Sequence, residues 1–163
     1  MVVVARVGSA SYTLADYDRA LEIQPSNVKL WLNRAKAQQE LEQLEAALGS
    51  LEHLLSLSPQ HSLALYQKGL LLRELRRPEE ALEVFDRLTQ LTPEDAKVWL
   101  NRGMVLSRLK RREDAIGAFD QALAINPDYH EVWVNRGVSF GILQRHEDAF
   151  QSFDRAVQIQ AND

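Results

Sequence analysis

The sequence contains no cysteine, which excludes disulfides and thiolate metal sites and fits a reducing, cytoplasmic setting. No apolar run approaches the roughly 18–20 residues that a membrane helix needs. Met1-Val-Val-Val-Ala-Arg6 is too short for a secretory signal and lacks its basic start. The net charge is −4, which argues against bulk nucleic-acid binding. Catalytic signatures are missing as well. There is no phosphate loop, no Gly-rich turn after a strand and no nucleophile motif. His53, His61, His130 and His146 have no His or carboxylate partner at a metal-ligand spacing. Neither an enzyme, nor a cofactor, nor a membrane or nucleic-acid partner is expected. Glycine and proline are scarce, at seven and five, and nearly all of them recur at fixed places.

What the chain does have is a period. Pro25, Pro59, Pro93 and Pro127 follow one another at 34 residues. At that step Trp31, Leu65, Trp99 and Trp133 share a column, as do Ala35, Gly69, Gly103 and Gly137. Ala47, Ala81, Ala115 and Ala149 form another, and Leu51, Phe85, Phe119 and Phe153 a fourth. A fixed step in this range signals a repeat architecture. In the clearest copy, Trp99, Gly103, Leu106 and Leu109 make one helical stripe. Lys110-Arg111-Arg112 interrupts it, and Ala115, Phe119, Ala122 and Ile125 resume it until Asn126-Pro127-Asp128. Each unit is therefore a helical hairpin, close-packed at Gly103 and Ala115 and filled by Trp99 and Phe119.

This pattern at this step resembles the tetratricopeptide repeat family, over residues 10–163 nearly continuously, in its Trp-x-Asn-Arg-Gly form. The resemblance implies an all-α, right-handed α-solenoid of about four and a half helix-turn-helix hairpins, a single array over 1–163. Residues 1–27 are a partial repeat, with Val7-Gly8 at the end of a mostly missing first helix and Tyr12–Ile23 as its second. Repeats 28–61, 62–95, 96–129 and 130–163 follow. In 28–61, Gln38 stands where Leu72, Leu106 and Phe140 stand elsewhere, and Leu54 replaces a small residue. The loosest packing is expected there, because an unpaired buried amide costs on the order of 1–3 kcal/mol. After 130–163 no polar cap is visible, so Phe150 and Val157 are expected to face the place of a further hairpin and to serve as an oligomer contact.

Two charge patterns have competing readings. Arg34, Lys68, Arg102 and Arg136 form one column, and Asp18, Glu52, Asp86, Asp120 and Asp154 another. They are either a basic ladder for an acidic ligand or ion pairs between neighbouring helices. The lone Lys and lone Glu lie in successive units, which favours pairing of Glu52 with Lys68 and of Asp18, Asp86 and Asp120 with Arg34, Arg102 and Arg136. The turn cations Arg76, Arg77, Lys110, Arg111, Arg112 and Arg145 are either an anionic-partner edge or solvated loop charge, and no interleaved aromatics favour the former.

In the family the first helices line the concave surface. The repeat register places Leu32, Tyr66, Leu70, Leu100, Met104, Val134 and Val138 there, with Lys29, Lys36, Arg73, Lys97 and Arg108 beside them. The acids on that face are fewer: Glu40, Glu74 and Glu131. The column Asn33, Gln67, Asn101, Asn135 resembles the asparagine ladder by which some members hold a peptide backbone. The carboxylate clamp of other members is absent, since Leu32 and Lys36, or Tyr66 and Leu70, take its Lys and Asn places and Asn101 or Asn135 its Arg place. The expected function is non-catalytic binding of an unidentified protein or peptide in this groove. The alternative is structural self-association, a homodimer through the C-terminal end.

Overall fold

The computed structural model describes the backbone of residues 5–7 and 10–161 and the side chains of 13–161. Among them are nine helices preceded by a two-stranded antiparallel hairpin, β1 (Ala5–Val7) and β2 (Ala10–Tyr12), in which Ala5 pairs with Tyr12. The chain divides into two compact units, residues 1–75 and 76–163. The first holds α1 (Leu14–Ile23), α2 (Val28–Glu40), α3 (Leu44–Leu57) and α4 (Ser62–Glu74). The second holds α5 (Pro78–Leu91), α6 (Ala96–Arg108), α7 (Arg112–Ile125), α8 (His130–Ile142) and α9 (His146–Ala161).

The strands correct two expectations, the first being Tyr12, which closes β2 and does not open a helix. Val7 is not the end of a helix but the last residue of β1, while Gly8 lies outside the described residues. A β-branched Val beside a Gly-Ser pair favours a strand over a helix. Helix α1 begins instead at a capping box. Thr13 Oγ1 accepts from the Asp16 N–H, and the Asp16 carboxylate accepts from the Thr13 backbone N–H at 2.9 Å. That bond, with the Thr13 hydroxyl next, holds the Asp16 carboxyl below its ordinary range. Its contribution to the helix start is therefore in place at neutral pH and is lost on acidification through that lowered value.

The 34-residue step is written into the backbone. Glu42, Arg76, Lys110 and Gln144 each have φ between 58° and 63°, the left-handed region, one per turn between paired helices. After α6 the Arg111 N–H reaches back to the Leu106 carbonyl at 2.9 Å, and after α8 Arg145 does the same to Phe140 at 3.0 Å. This six-to-one closure is the Schellman arrangement, here built without glycine. At the other turns, Trp31, Trp99 and Trp133 donate Nε1–H to the carbonyls of Pro25, Pro93 and Pro127 at 2.7–2.8 Å. The proline stops one helix, and its carbonyl anchors the indole that opens the next hairpin's core. Asn27, His61 and Asp95, one period apart, cap α2, α4 and α6 with their side chains.

Packing within each hairpin follows from size matching. In the second unit, a Cβ built on Gly103 would stand 2.7 Å from Phe119 Cδ1, and one on Gly137 would stand 2.7 Å from Phe153 Cε1. Neither separation is tolerated between real atoms, so only glycine lets the ring lie on the helix backbone. In the first unit the same two places hold Ala35 and Leu51, both fully buried in one cluster, so a methyl faces a smaller partner.

Repeat 28–61 accommodates both residues marked as liabilities. Leu54 is fully buried. Gln38 is buried too, and one orientation of its amide satisfies both ends: Oε1 accepts from Arg34 Nη1 at 3.1 Å, while Nε2 donates to Ser50 Oγ at 2.6 Å and to the Ala46 carbonyl at 3.1 Å. Arg34 also donates to Ser50 Oγ at 2.7 Å. The polar residue is thus one member of a closed network.

Gly103→Ala should lower stability by about 1–3 kcal/mol through overpacking, despite a gain of roughly 1 kcal/mol in helix propensity. Phe119→Leu in the same chain should recover part of it, giving a coupling of about 1–2 kcal/mol in a denaturant cycle. A Gly103→Ala protein melting at or above wild type would refute the ring-on-glycine contact. Ser50→Ala alone should cost about 1–3 kcal/mol, because Gln38 Nε2 and Arg34 Nη1 lose the acceptor they share. Gln38→Leu with Ser50→Ala, the pair found at Leu106 and Ala118, should be near neutral; a double variant as unstable as Ser50→Ala would show that the network adds nothing.

Candidate functional site

The two charge columns meet as ion pairs. Arg34 bonds Asp18 at 2.7 Å and Lys68 bonds Glu52 at 2.9 Å in the first unit. Arg102 bonds Asp86 at 2.6 Å and Arg136 bonds Asp120 at 2.7 Å in the second. Every pair spans 16 residues, from a second helix to the next first helix. The guanidiniums of Arg34, Arg102 and Arg136 also lie over the rings of Trp31, Trp99 and Trp133, three residues earlier, at 5.4–5.9 Å from the centroids. Half-exposed pairs of this kind contribute under about 1 kcal/mol each, and the stacked stems add apolar contact. These cations hold helices to one another, which leaves them unavailable to a ligand.

Three of the six turn cations are neutralised in place. Arg77, Arg111 and Arg145, each just before a second helix, bond Glu80, Asp114 and Asp148 three residues on, at 2.6–2.8 Å. Arg112 donates to the Ser107 carbonyl. The acids also sit in the first turns of α5, α7 and α9, where the helix dipole favours negative charge.

The first helices carry the residues expected to bind. In the second unit α6 and α8 lie side by side, with Ser107 Oγ 3.4 Å from Ser139 Oγ. Lys97 and Arg108 on α6 are exposed, and no salt bridge to either is found among the described residues. Met104 and Val134 are half-buried and Val138 is 48% exposed. Leu100, by contrast, is buried in the layer. In the first unit, Lys36, Tyr66, Leu70 and Arg73 are half-buried and Leu32 is buried.

The amide column is not four equivalent groups. Asn101 is 5% exposed and its Nδ2 donates to the Lys97 carbonyl at 2.8 Å; Asn135, half-buried, donates to the Glu131 carbonyl at the same distance. A short amide within a helix can bond the carbonyl four residues back, and doing so uses one of its two N–H donors. Asn101 thus lies mostly within the packed layer. Gln67 is half-buried with Oε1 enclosed and without a partner. Asn33 lines a cavity of about 460 Å³ between α1 and α2, with Asp16, Tyr17, Ala20, Asn27, Lys29 and Leu30.

One depression was not anticipated. About 760 Å³ in volume, it lies between the α5–α6 and α7–α8 loops, over Leu91, Pro93, Ile125 and Tyr129 with Glu94 and Lys97 alongside. Its signal is a column of large aliphatics closing the second helices, Ile23, Leu57, Leu91 and Ile125. Among the described residues no cluster of His, Asp and Glu could hold a metal ion, and no helix is long and apolar enough to cross a membrane.

Comparison with known proteins agrees with this architecture. Profiles described as tetratricopeptide repeat match residues 32–96, 96–129 and 130–163. A search of curated proteins finds no match. Among solved structures, a crystal structure of MamA is similar with a TM-score of 0.88 at 19% identity, covering 91% of this chain and 87% of that one. MamA from residue 41 onward, from Desulfovibrio magneticus RS-1, gives a TM-score of 0.87 at 19% identity, with 91% and 84% covered. YrrB, a TPR protein with an unusual peptide-binding site, gives 0.83 at 25% identity, with 91% and 76% covered. With the repeat profiles spanning residues 32–163 and the helical hairpins recurring at their step, the chain belongs to the tetratricopeptide repeat family, whose members are protein–protein interaction modules.

Proposed function

We propose that the chain is a non-catalytic binding module that takes a segment of partner protein, apolar with acidic flanks, on its first-helix faces. In the second unit that face is formed by α6 and α8. The observation that carries the reading is the distribution of cations. The ladder arginines and three turn arginines are consumed by internal carboxylates, whereas Lys97 and Arg108 stand exposed without one, beside Met104, Val134 and Val138. Unpaired charge next to repeated apolar positions is what an amphipathic acidic segment would complement. In the first unit Lys36, Tyr66, Leu70 and Arg73 present a similar mixture, and Asn33 and Gln67 share their helices. The peptide-binding site of YrrB is a parallel within the same repeat family.

Self-association through the C-terminal end is the second reading. It is supported by Phe150 and Val157, which are 66% and 65% exposed. A mass that rises with concentration in sedimentation, and falls back with Phe150→Glu, would favour it over segment binding.

Selection of peptides from a random library against the 163-residue chain tests the first reading. The selected segments should be apolar with Asp or Glu at their flanks, and their affinity should fall as salt is raised. Lys97→Glu with Arg108→Glu should weaken them by about 1–2 kcal/mol with an unchanged melting curve. Met104→Glu with Val138→Glu should abolish binding. Selected segments that are basic, or that bind the charge-reversed protein equally well, would remove the reading.

A further inference from the structure

Helix α9 carries an incomplete copy of the device that joins the hairpins of the second unit. On α7, Ile116, Phe119, Asp120 and Leu123 form one stripe. Helix α8 covers it: Phe140 packs on Ile116, Phe119 and Leu123 are buried, and Arg136 bonds Asp120 at 2.7 Å. On α5, Phe85 is likewise buried and Asp86 likewise meets Arg102. The corresponding stripe of α9 is Phe150, Phe153, Asp154 and Val157, spaced so that all four share one face. Here Phe150, Phe153 and Val157 are 66%, 39% and 65% exposed. Asp154 has no cation: among the described residues its carboxylate accepts only from Gln158 Nε2, at 2.6 Å.

An apolar face alone would not name its occupant, but the acid within it does. We infer that α9 is a docking face for an amphipathic helix of a partner protein, one that carries an arginine to meet Asp154. The two covering helices of the same unit specify that helix further. Each has a tryptophan three residues before the arginine, with the guanidinium over its ring, and α8 has Phe140 four residues after. The ligand is therefore a helix of the pattern Trp-x-x-Arg-x-x-x-Phe or close to it, with its apolar residues on Phe150 and Val157. The ladder cations of a second folded copy do not supply it, because Arg34, Lys68, Arg102 and Arg136 are already paired. The face lies on α9, apart from the α6–α8 face proposed for segment binding, so the two can be tested independently.

The probe is a fluorescein-labelled, end-blocked peptide with the sequence of residues 128–145, which includes the helix that covers α7. Its anisotropy should rise saturably with the intact chain. Asp154→Lys in the protein should weaken it roughly tenfold, attraction being replaced by repulsion, and an aspartate at the peptide's Arg136 position should restore binding to that variant. Phe150→Asp should abolish binding. Both protein variants lie on exposed positions, and unchanged melting curves confirm that they fold. The inference is overturned by the absence of saturable binding at millimolar peptide, or by equal affinity for wild type and Asp154→Lys. It is also overturned if binding responds to Asp120→Lys rather than Asp154→Lys, which would mean that the peptide displaces α8. A dimer of the chain itself that is dissociated by Phe150→Asp would assign the face to a second copy instead.

Discussion

In the hairpin of α6 and α7 an aromatic ring lies where any side chain on Gly103 would have to be. That contact draws the two helices together on one side of Phe119 and leaves its other side to be covered by something else. In the second unit α8 provides the cover, and Phe119 is sealed completely. Phe153 rests on Gly137 in the same way, yet stays partly open. A hairpin built like this always has one apolar face more than it can bury by itself. The remaining regularities serve to bring the next helix to that face at a fixed height. The proline carbonyl fixes the indole, the left-handed turn residue fixes the return of the chain, and the carboxylate fixes the arginine.

Charge is divided between internal and external use according to position. Cations on the flank of the first helices meet acids of the preceding second helix, and cations at the turns meet acids in the helix start that follows them. Among the described charges of the second unit that form no salt bridge are Lys97 and Arg108 on α6 and Asp154 on α9. The net charge of −4 hides this arrangement. Recognition depends on where the unpaired charges lie, since paired surface charges contribute little to a third party.

Most of the helical fold was legible because each repeat puts the same column into the same surroundings, so that Trp99 and Trp133 report one environment twice. The ion pairs were legible for a similar reason: the odd Lys and the odd Glu had to belong together. Sequence spacing fails where the outcome depends on which side of a helix a neighbour covers. Asn101 and Asn135 occupy the same column, yet only Asn101 is buried, and each uses one amide N–H within the helix. Gln38 looked like a defect because the residue that completes it, Ser50, lies on another helix, in a column that holds Val84, Ala118 and Ser152 in the other repeats. Residues before Tyr12 carry too little of the repeat for the register to reach them, and the strand at Ala5–Val7 was missed there.

The ion pairs have a consequence for the order of the units. Arginine is longer than lysine, and aspartate is one methylene shorter than glutamate. Three junctions join a long cation to a short acid, and the junction at Glu52 and Lys68 joins a short cation to a long acid. The combined reach is thereby kept nearly constant while its division changes. A rearrangement that separates Glu52 from Lys68 would set Lys68 against an aspartate and leave it short, or set an arginine against Glu52 and crowd it. The other three junctions share one Arg–Asp match and are interchangeable, so the junction at Glu52 and Lys68 is the one keyed seam among them.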